Sequence, residues 1–370
     1  MFRIFGPPGT GKTTTLLDLV DKALESGTPS TEIAFLAFTR KAAREARERA
    51  SRRFGLDPRR DLPYFRTLHS LAFRLTGLTT EQLMSGEHYK ELEKRTGFEL
   101  TGSGGMEEEA TSSIKKESEI LRLITLARLK RTSLQTEYHG TRIRHTWTEV
   151  NYLARSLEKY KKTNDLFDYT DMLELFVQKG PQICPHFELC LLDEAQDLSA
   201  IQWEIAHILD RKSEKMYCCG DDDQAIYDFA GADVGAFLEL PGGSEILEQS
   251  YRVPFTVHSL ATRISGRIRR RYPKKYFPRK EKGSVQHVFS VDQLDFSEGN
   301  WLVMSQAHYQ TNPVAEHLKG GGYFFERSGY PSVPAKISSA LLAWQKLQKD
   351  DLVNLEEAKI LYGFMRGNGV

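Results

Sequence analysis

At 370 residues the chain is longer than one hydrophobic core usually supports, so two or more domains are expected. Its hydrophobic content of 40% and charged content of 27% are those of a soluble globular protein, and no apolar stretch approaches a membrane span, which argues against a membrane role. A net charge of +1 excludes any argument for nucleic-acid binding from overall charge, so such a role must rest on local patches.

The apolar run Phe2 to Phe5 is predicted as a strand and is followed by a turn and a helical pattern. Between them Gly6-Pro7-Pro8-Gly9-Thr10-Gly11-Lys12-Thr13 fits the phosphate-loop spacing GxxxxGK[ST], with Thr14 assigned to the same nucleotide-binding set. Glycines let backbone N–H groups turn toward a β-phosphate, Lys12 neutralises β/γ charge, and the Thr13 hydroxyl is placed to ligate Mg²⁺. An ATP site with Mg²⁺ is therefore the starting expectation. The N-terminus enters this loop directly, leaving no room for a signal peptide, and the cytoplasm is the expected compartment.

Ile33 to Phe38 reads as a buried strand and Lys41 to Arg53 as a helix, which with the loop make the βαβ opening of a parallel sheet. Residues 40–60 are rich in arginine, but Glu45 and Glu48 at helical spacing make a solvated face with i,i+4 pairs the plainer reading. From 76 to 164 the pattern is helical, with Lys115 to Arg131 and Thr148 to Lys162 as helices and Thr101 to Gly105 as a loop, so an all-helical insertion is expected. Strand character returns at Glu188 to Leu192 and Lys215 to Cys219. Leu240-Pro241-Gly242-Gly243 is a plausible boundary, beyond which Glu245 to Glu248, Val285 to Phe289 and Trp301 to Met304 are expected as strands of a second α/β unit. A second basic run, Arg263 to Lys282, has almost no acids nearby in sequence. Cys184, Cys190, Cys218 and Cys219 lack paired spacing and read as buried thiols.

Two segments carry further chemistry. Leu191-Leu192-Asp193-Glu194-Ala195-Gln196-Asp197 sets adjacent carboxylates at the end of a buried strand, where open α/β sheets bind ligands. Phosphoryl transfer to water needs such a pair, with Asp193 holding Mg²⁺ and Glu194 orienting and deprotonating the water. Gly220-Asp221-Asp222-Asp223-Gln224-Ala225-Ile226-Tyr227 brings three acids together, which repel unless solvated or arranged around a cation. Gln224 is a neutral group suited to sensing a γ-phosphate, and Tyr227 and Phe229 offer flat faces for base stacking.

These residues resemble the UvrD/Rep/PcrA group of superfamily 1 helicases. Besides the phosphate loop and the acid pair, Ala37-Phe38-Thr39-Arg40-Lys41-Ala42-Ala43, Thr67-Leu68-His69-Ser70, Asp168 to Leu173, Gly220 to Tyr227, Gln249-Ser250-Tyr251-Arg252 and Phe324 to Arg327 are similar to family motifs, in order. The resemblance implies a RecA-like P-loop NTPase motor domain over 1–75 and 165–240, a helical insertion over 76–164, an incomplete second RecA-like domain over 241–330, and the start of a second helical insertion over 331–370. It also implies that Phe38, Arg40, Thr67, His69, Tyr227 and Phe229 lie along single-stranded DNA. Tyr251 would stack on the adenine, and Arg252 would reach the γ-phosphate as an arginine finger. The implied activity is ATP-driven helicase or translocase action on single-stranded DNA and DNA junctions, 3′ to 5′, in repair or replication with accessory proteins.

Three departures from the family pattern stand out. The sequence begins at the phosphate-loop strand without the family's adenine-reading glutamine segment, Ala230 stands where the family usually has arginine, and nothing after Arg327 resembles the fifth and sixth motifs. Slow turnover is expected from the last of these, and an ATP-gated DNA-binding module with weak turnover is the alternative reading. A P-loop ATPase acting on protein is disfavoured, because Thr67 to Ala72 and Gln224 to Tyr227 would have no purpose there.

Overall fold

A computed structural model describes residues 1–100, 118–327 and 329–365. The chain divides into two compact units, Met1–Ser284 and Val285–Val370.

The first unit opens with β1 (Phe2–Phe5), α1 (Lys12–Glu25), β2 (Ile33–Ala37), α2 (Arg40–Phe54), β3 (Phe65–Thr67) and α3 (Leu68–Thr76). It continues through α4 (Gly86–Thr96), α5 (Glu119–Leu129), α6 (Leu134–Gly140), α7 (Trp147–Asn164) and α8 (Tyr169–Ile183). Then come β4 (Phe187–Leu192), α9 (Ala200–Arg211), β5 (Ser213–Gly220), α10 (Val234–Glu239), β6 (Ser244–Ile246), β7 (Gln249–Pro254), α11 (Phe255–Ser265) and β8 (Phe277–Arg279). Six strands form a parallel sheet in the order β3-β2-β4-β5-β1-β6. Parallel sheets need both faces covered, and period-two alternation does this here. Ile33, Phe35, Ala37, Leu189 and Leu191 pack on one face with Leu16, Leu17 and Val20 of α1 and Ala43, Ala46 and Ala50 of α2. Ala34, Leu36, Cys190 and Leu192 pack on the other with residues of α3, α8 and α9. Each fully buried Leu or Ile contributes about 1.5–3 kcal/mol to this sandwich.

Local signals set the helices. Thr39 caps α2 by accepting from the Ala42 N–H, and Gly55 ends the helix at φ 67°. The small alanines of α2 let it lie close on the sheet, while Arg44–Glu48 and Arg49–Glu45 pair along its outer face. The helical insertion has a core of its own, in which Leu92, Ile120, Leu123, Val150, Leu153 and Leu157 are buried together. It is tied to α8 by a buried network. Arg128 bonds Asp168, Asp171 and Glu174, and Lys161 reaches Asp168 and Asp171 at 2.5 and 2.6 Å. All four cysteines are buried, as their surroundings in sequence imply; burial pushes the Cys184 thiol up to about 11 and the Cys218 thiol up to about 12.

The second unit holds α12 (Asn312–Gly320), a short antiparallel pair β9 (Glu326–Arg327) and β10 (Tyr330–Pro331), and the helices α13 (Ala335–Gln348) and α14 (Leu355–Met365). Three sequence expectations change. Glu245 to Glu248 supplies no strand to a second unit: β6 runs parallel to β1 as the edge of the first sheet. Val285 to Phe289 and Trp301 to Met304 form no strands, and their apolar side chains stand exposed without a facing layer, Phe289 at 99%. A separate two-stranded parallel sheet, β7 with β8, lies within the first unit. The loop expected over 101–105 falls outside the described residues.

Candidate nucleotide and nucleic-acid site

Because every strand of the large sheet points the same way, the loops after β1, β4 and β5 emerge at one edge, and these are the three segments whose sequences carry the phosphate loop, the acid pair and the triple acid. Gly6 donates to Gly220 O at 2.9 Å, and the loop then turns through Gly9 at φ 73° and Gly11 at φ 86° before α1 begins at Lys12. Pro7 O receives both the Thr10 N–H at 3.2 Å and its hydroxyl at 2.8 Å, which fixes the curl of the loop. Pro8 and Thr14 complete the segment, with Thr14 exposed on the first turn of α1. Lys12 Nζ lies 3.2 Å from Gly6 O and 3.5 Å from Glu194 Oε2.

The acid pair stands opposite. Thr13 Oγ1 donates to Asp193 Oδ2 at 3.1 Å, so the two residues assigned to Mg²⁺ already face each other. Both are hard oxygen donors of the kind Mg²⁺ takes, and an octahedral ion would draw its other ligands from phosphate and water oxygens. Burial, and then the adjacent Glu194 charge, push the Asp193 carboxyl up to about 6, a crowding that a cation would relieve. Glu194 sits in the left-handed region at φ 54°, ψ 44°, a conformation costly for a side chain with a Cβ and one that aims the carboxylate toward Lys12. Gln196 Nε2 holds Glu194 Oε2 and Asp197 Oδ2, each at 3.0 Å, while its Oε1 accepts the Asp221 N–H at 3.0 Å. Asp197 keeps one oxygen buried without a partner among the described residues, and burial followed by the Glu194 charge raises it to about 7.

The three acids after β5 are arranged around a cation, and it is an ammonium. Lys274 Nζ, its side chain 1% exposed, lies 3.0 Å from Asp221, 2.6 Å from Asp222 and 3.0 Å from Asp223. Arg271 donates from Nε to Asp223 Oδ1 at 2.7 Å and from Nη2 to Oδ2 at 2.5 Å. The basic run 263–282, which has few acids near it in sequence, thus meets them through folding. Gln224 donates its side-chain amide to Asp221. On the far side of the loop, β7 docks against the phosphate loop. Ser250 Oγ donates to Pro8 O at 2.7 Å and Tyr251 N to Gly9 O at 2.9 Å, leaving the Tyr251 ring 73% exposed and Arg252 beside it. A Cβ on Gly9 would lie 2.5 Å from Arg252 Cβ, so this close approach requires glycine. Among the described residues the Arg252 guanidinium makes no ion pair.

The residues expected along DNA separate into two groups. Phe38, Tyr227 and Phe229 form a row, with ring centroids 5.4 and 6.0 Å apart, and Phe229 is 56% exposed. Arg40 starts α2 beside Phe38. Thr67 differs: it is 3% exposed and its hydroxyl caps α3 by accepting the Ser70 N–H, so its polar group is committed to the helix. His69 lies half-buried in the first turn of that helix.

The family model for the UvrD/REP helicase N-terminal domain matches residues 2–242. The chain belongs to the UvrD/REP helicase family. Among its relatives, the YjcD protein of Bacillus subtilis (strain 168), described as a candidate ATP-dependent DNA helicase, is 26% identical over 88% of this chain and 45% of its own length. A protein of Rickettsia felis described as a candidate DNA helicase II homolog is 26% identical over 95% of this chain and 60% of its own length. The ATP-dependent DNA helicase PcrA of Leuconostoc citreum is 26% identical over 81% and 41%. The chain therefore spans about half the length of these curated relatives.

In this member of the UvrD/REP helicase family, sequence reasoning missed the groups that support the named ones. Gln196 and Ser250 lie inside quoted motifs and could have been weighed as polar residues flanking charged ones. Lys274 had no such signal, being one lysine in a basic run. Arg122 of the insertion, which donates to Phe229 O at 3.2 Å, lies 107 residues from its partner in sequence.

Proposed function

We propose that this chain is the nucleotide-binding part of an ATP-dependent DNA helicase that moves on single-stranded DNA. The observation that supports it best is the convergence of Thr13 with Asp193 and of Lys12 with Glu194 at the sheet edge whose neighbouring loops carry the Phe38, Tyr227 and Phe229 row. Loop N–H groups and Lys12 bind the phosphates, while Glu194, steadied by Gln196, accepts a proton from the attacking water. Mg²⁺, held by Thr13 and Asp193, would neutralise phosphate charge. Gln224 and Arg252 respond to the γ-phosphate, and Tyr251 offers its exposed ring to the base. Phe229 and Tyr227 stack on successive bases, with Arg40 near the backbone.

In this proposal the motor spans 1–75 and 165–240 with β6 as the edge of its sheet, the helical insertion spans 76–164, the second motor half follows β6, and the second insertion begins at 331. Movement is 3′ to 5′ on single strands and junctions, in the cytoplasm, alongside repair or replication proteins. No helix among the described residues is long and apolar enough to cross a membrane. The test is the steady-state ATPase rate with and without single-stranded DNA. Stimulation by DNA supports the motor. Binding of Mg-ATP and DNA without stimulation supports the ATP-gated binding module, and absence of nucleotide binding removes both.

A further inference from the structure

The buried charge cluster after β5 does more than neutralise itself. Starting from the phosphate loop, contacts run from Lys12 to Glu194 (3.5 Å), from Glu194 to Gln196 (3.0 Å), from Gln196 to the Asp221 N–H (3.0 Å) and from Asp221 Oδ1 to Lys274 Nζ (3.0 Å). Three residues on, Phe277 of β8 donates to Glu248 O at 2.6 Å and pairs with Gln249 of β7. β7 returns to the phosphate loop through Ser250 and Tyr251, on Pro8 and Gly9. The circuit is closed, and it carries both groups assigned to the γ-phosphate, Gln224 on Asp221 and Arg252 on β7.

We propose that Lys274 is a positioning residue for Gln224, joining it through Asp221 to the strand that bears Arg252. Resting on the ATPase reading above, this gives the cluster a task that packing alone does not. The Gln224 amide and the Lys274 ammonium share one buried carboxylate, the amide on Oδ2 and the ammonium on Oδ1. With Lys274 in place, Asp221 is already compensated and Gln224 can leave it for a phosphate oxygen. Without Lys274, the buried carboxylate is left with the Asp223 N–H and the Gln224 amide and no cation, and it holds the amide more firmly, because uncompensated charge is costly in a low-dielectric interior. Burial acts to lower the Lys274 ammonium, and the Asp221 and Asp222 charges outweigh it and raise it, so it stays charged. Tyr272 anchors the same segment, stacking on Phe5 of β1 at 3.9 Å, while its N–H donates to Asp222 at 2.7 Å.

Removing the ammonium outright would strand three carboxylates beside Arg271 and risks unfolding, so the test uses Asp221→Asn and Lys274→Arg in the full chain. Single-turnover ATP hydrolysis, binding of a fluorescent ATP analogue and thermal midpoint are measured for each. In Asp221→Asn, Lys274 keeps Asp222 and Asp223, the fold is retained, nucleotide Kd stays within about twofold and the hydrolysis rate falls about tenfold or more, the scale seen when an outer partner of a catalytic group is lost. Lys274→Arg, which keeps the charge but spreads it over a planar group, falls between the parent and Asp221→Asn. Added to Gln224→Ala, Asp221→Asn causes no further loss, since both act on one group. A folded Asp221→Asn chain that hydrolyses ATP like the parent, or losses that multiply with Gln224→Ala, would overturn the proposal. A parent chain that binds no Mg-ATP would instead overturn the ATPase reading itself.

Discussion

The loops at the end of the large sheet build two surfaces by opposite means. The nucleotide side is a partly buried polar web: Thr13, Asp193, Glu194, Gln196, Asp221 and Lys274 are each held by another member, and one of them, Glu194, is strained. The aromatic side is three rings in a row, with Phe229 open to solvent. In the first, low dielectric and shared partners make every group depend on its neighbours, so changes are strong and non-additive. In the second, each ring contributes its own face, so changes are modest and local.

The largest effects are expected on the buried side. Lys12→Ala removes phosphate neutralisation and abolishes nucleotide binding, whereas Glu194→Gln keeps binding and slows hydrolysis by about 10²–10⁴-fold, the usual worth of a general base. Binding titrations beside single-turnover rates separate the two, and equal loss of affinity in both variants would break the assignment. Next comes Asp197. Its carboxyl is raised to about 7 in the fold from an ordinary value near 4, so the folded state binds more protons across that window. Its contribution to stability is fully present below about pH 4 and is lost as pH rises through about 7, at roughly 1.4 kcal/mol for each tenfold difference in proton affinity between the folded and unfolded chain. Asp197→Asn abolishes this dependence, and its stability in urea relative to the parent should therefore rise from about pH 4 to about pH 8. A constant difference across that range would remove the burial argument.

On the aromatic side, Phe229→Ala should weaken single-stranded DNA binding by about 1–3 kcal/mol if the ring stacks on a base. Fluorescence anisotropy with oligonucleotides of different sequence should show the same loss for each, and an unchanged affinity would exclude the ring from the interface. The smallest effect is expected at Arg40. Arg40→Ala should flatten the salt dependence by roughly 0.7, the slope of one phosphate contact on single strands. A large and sequence-selective loss there would mean that this surface is as interdependent as the other.

What was legible in the sequence follows the same division. The phosphate loop and acid pair could be read because their chemistry demands fixed residue types within a few positions, and β4 and β5 fall where apolar runs end in charged turns. The partners that hold those groups lie far away along the chain. Nothing in the run Arg263 to Lys282 marks Lys274 apart from Lys275, yet one is sequestered among carboxylates and the other is exposed. Glu245 to Glu248 carries a strand signal but no information about which sheet it joins, and β6 went to β1 because the turn after α10 returns it there. Thr67 is ambiguous in sequence for a local reason, since the hydroxyl that suits a nucleic-acid contact also suits a helix N-cap, and the cap is formed.

The sequestered thiols have a practical consequence. Cys184, Cys190, Cys218 and Cys219 are buried, and burial raises each above its ordinary value, so none presents a thiolate to a maleimide in the folded chain. A cysteine introduced at a half-exposed position such as Tyr152 on α7 would be the one fast-reacting site. The helical insertion could then carry a fluorophore with every native sulfur left in place.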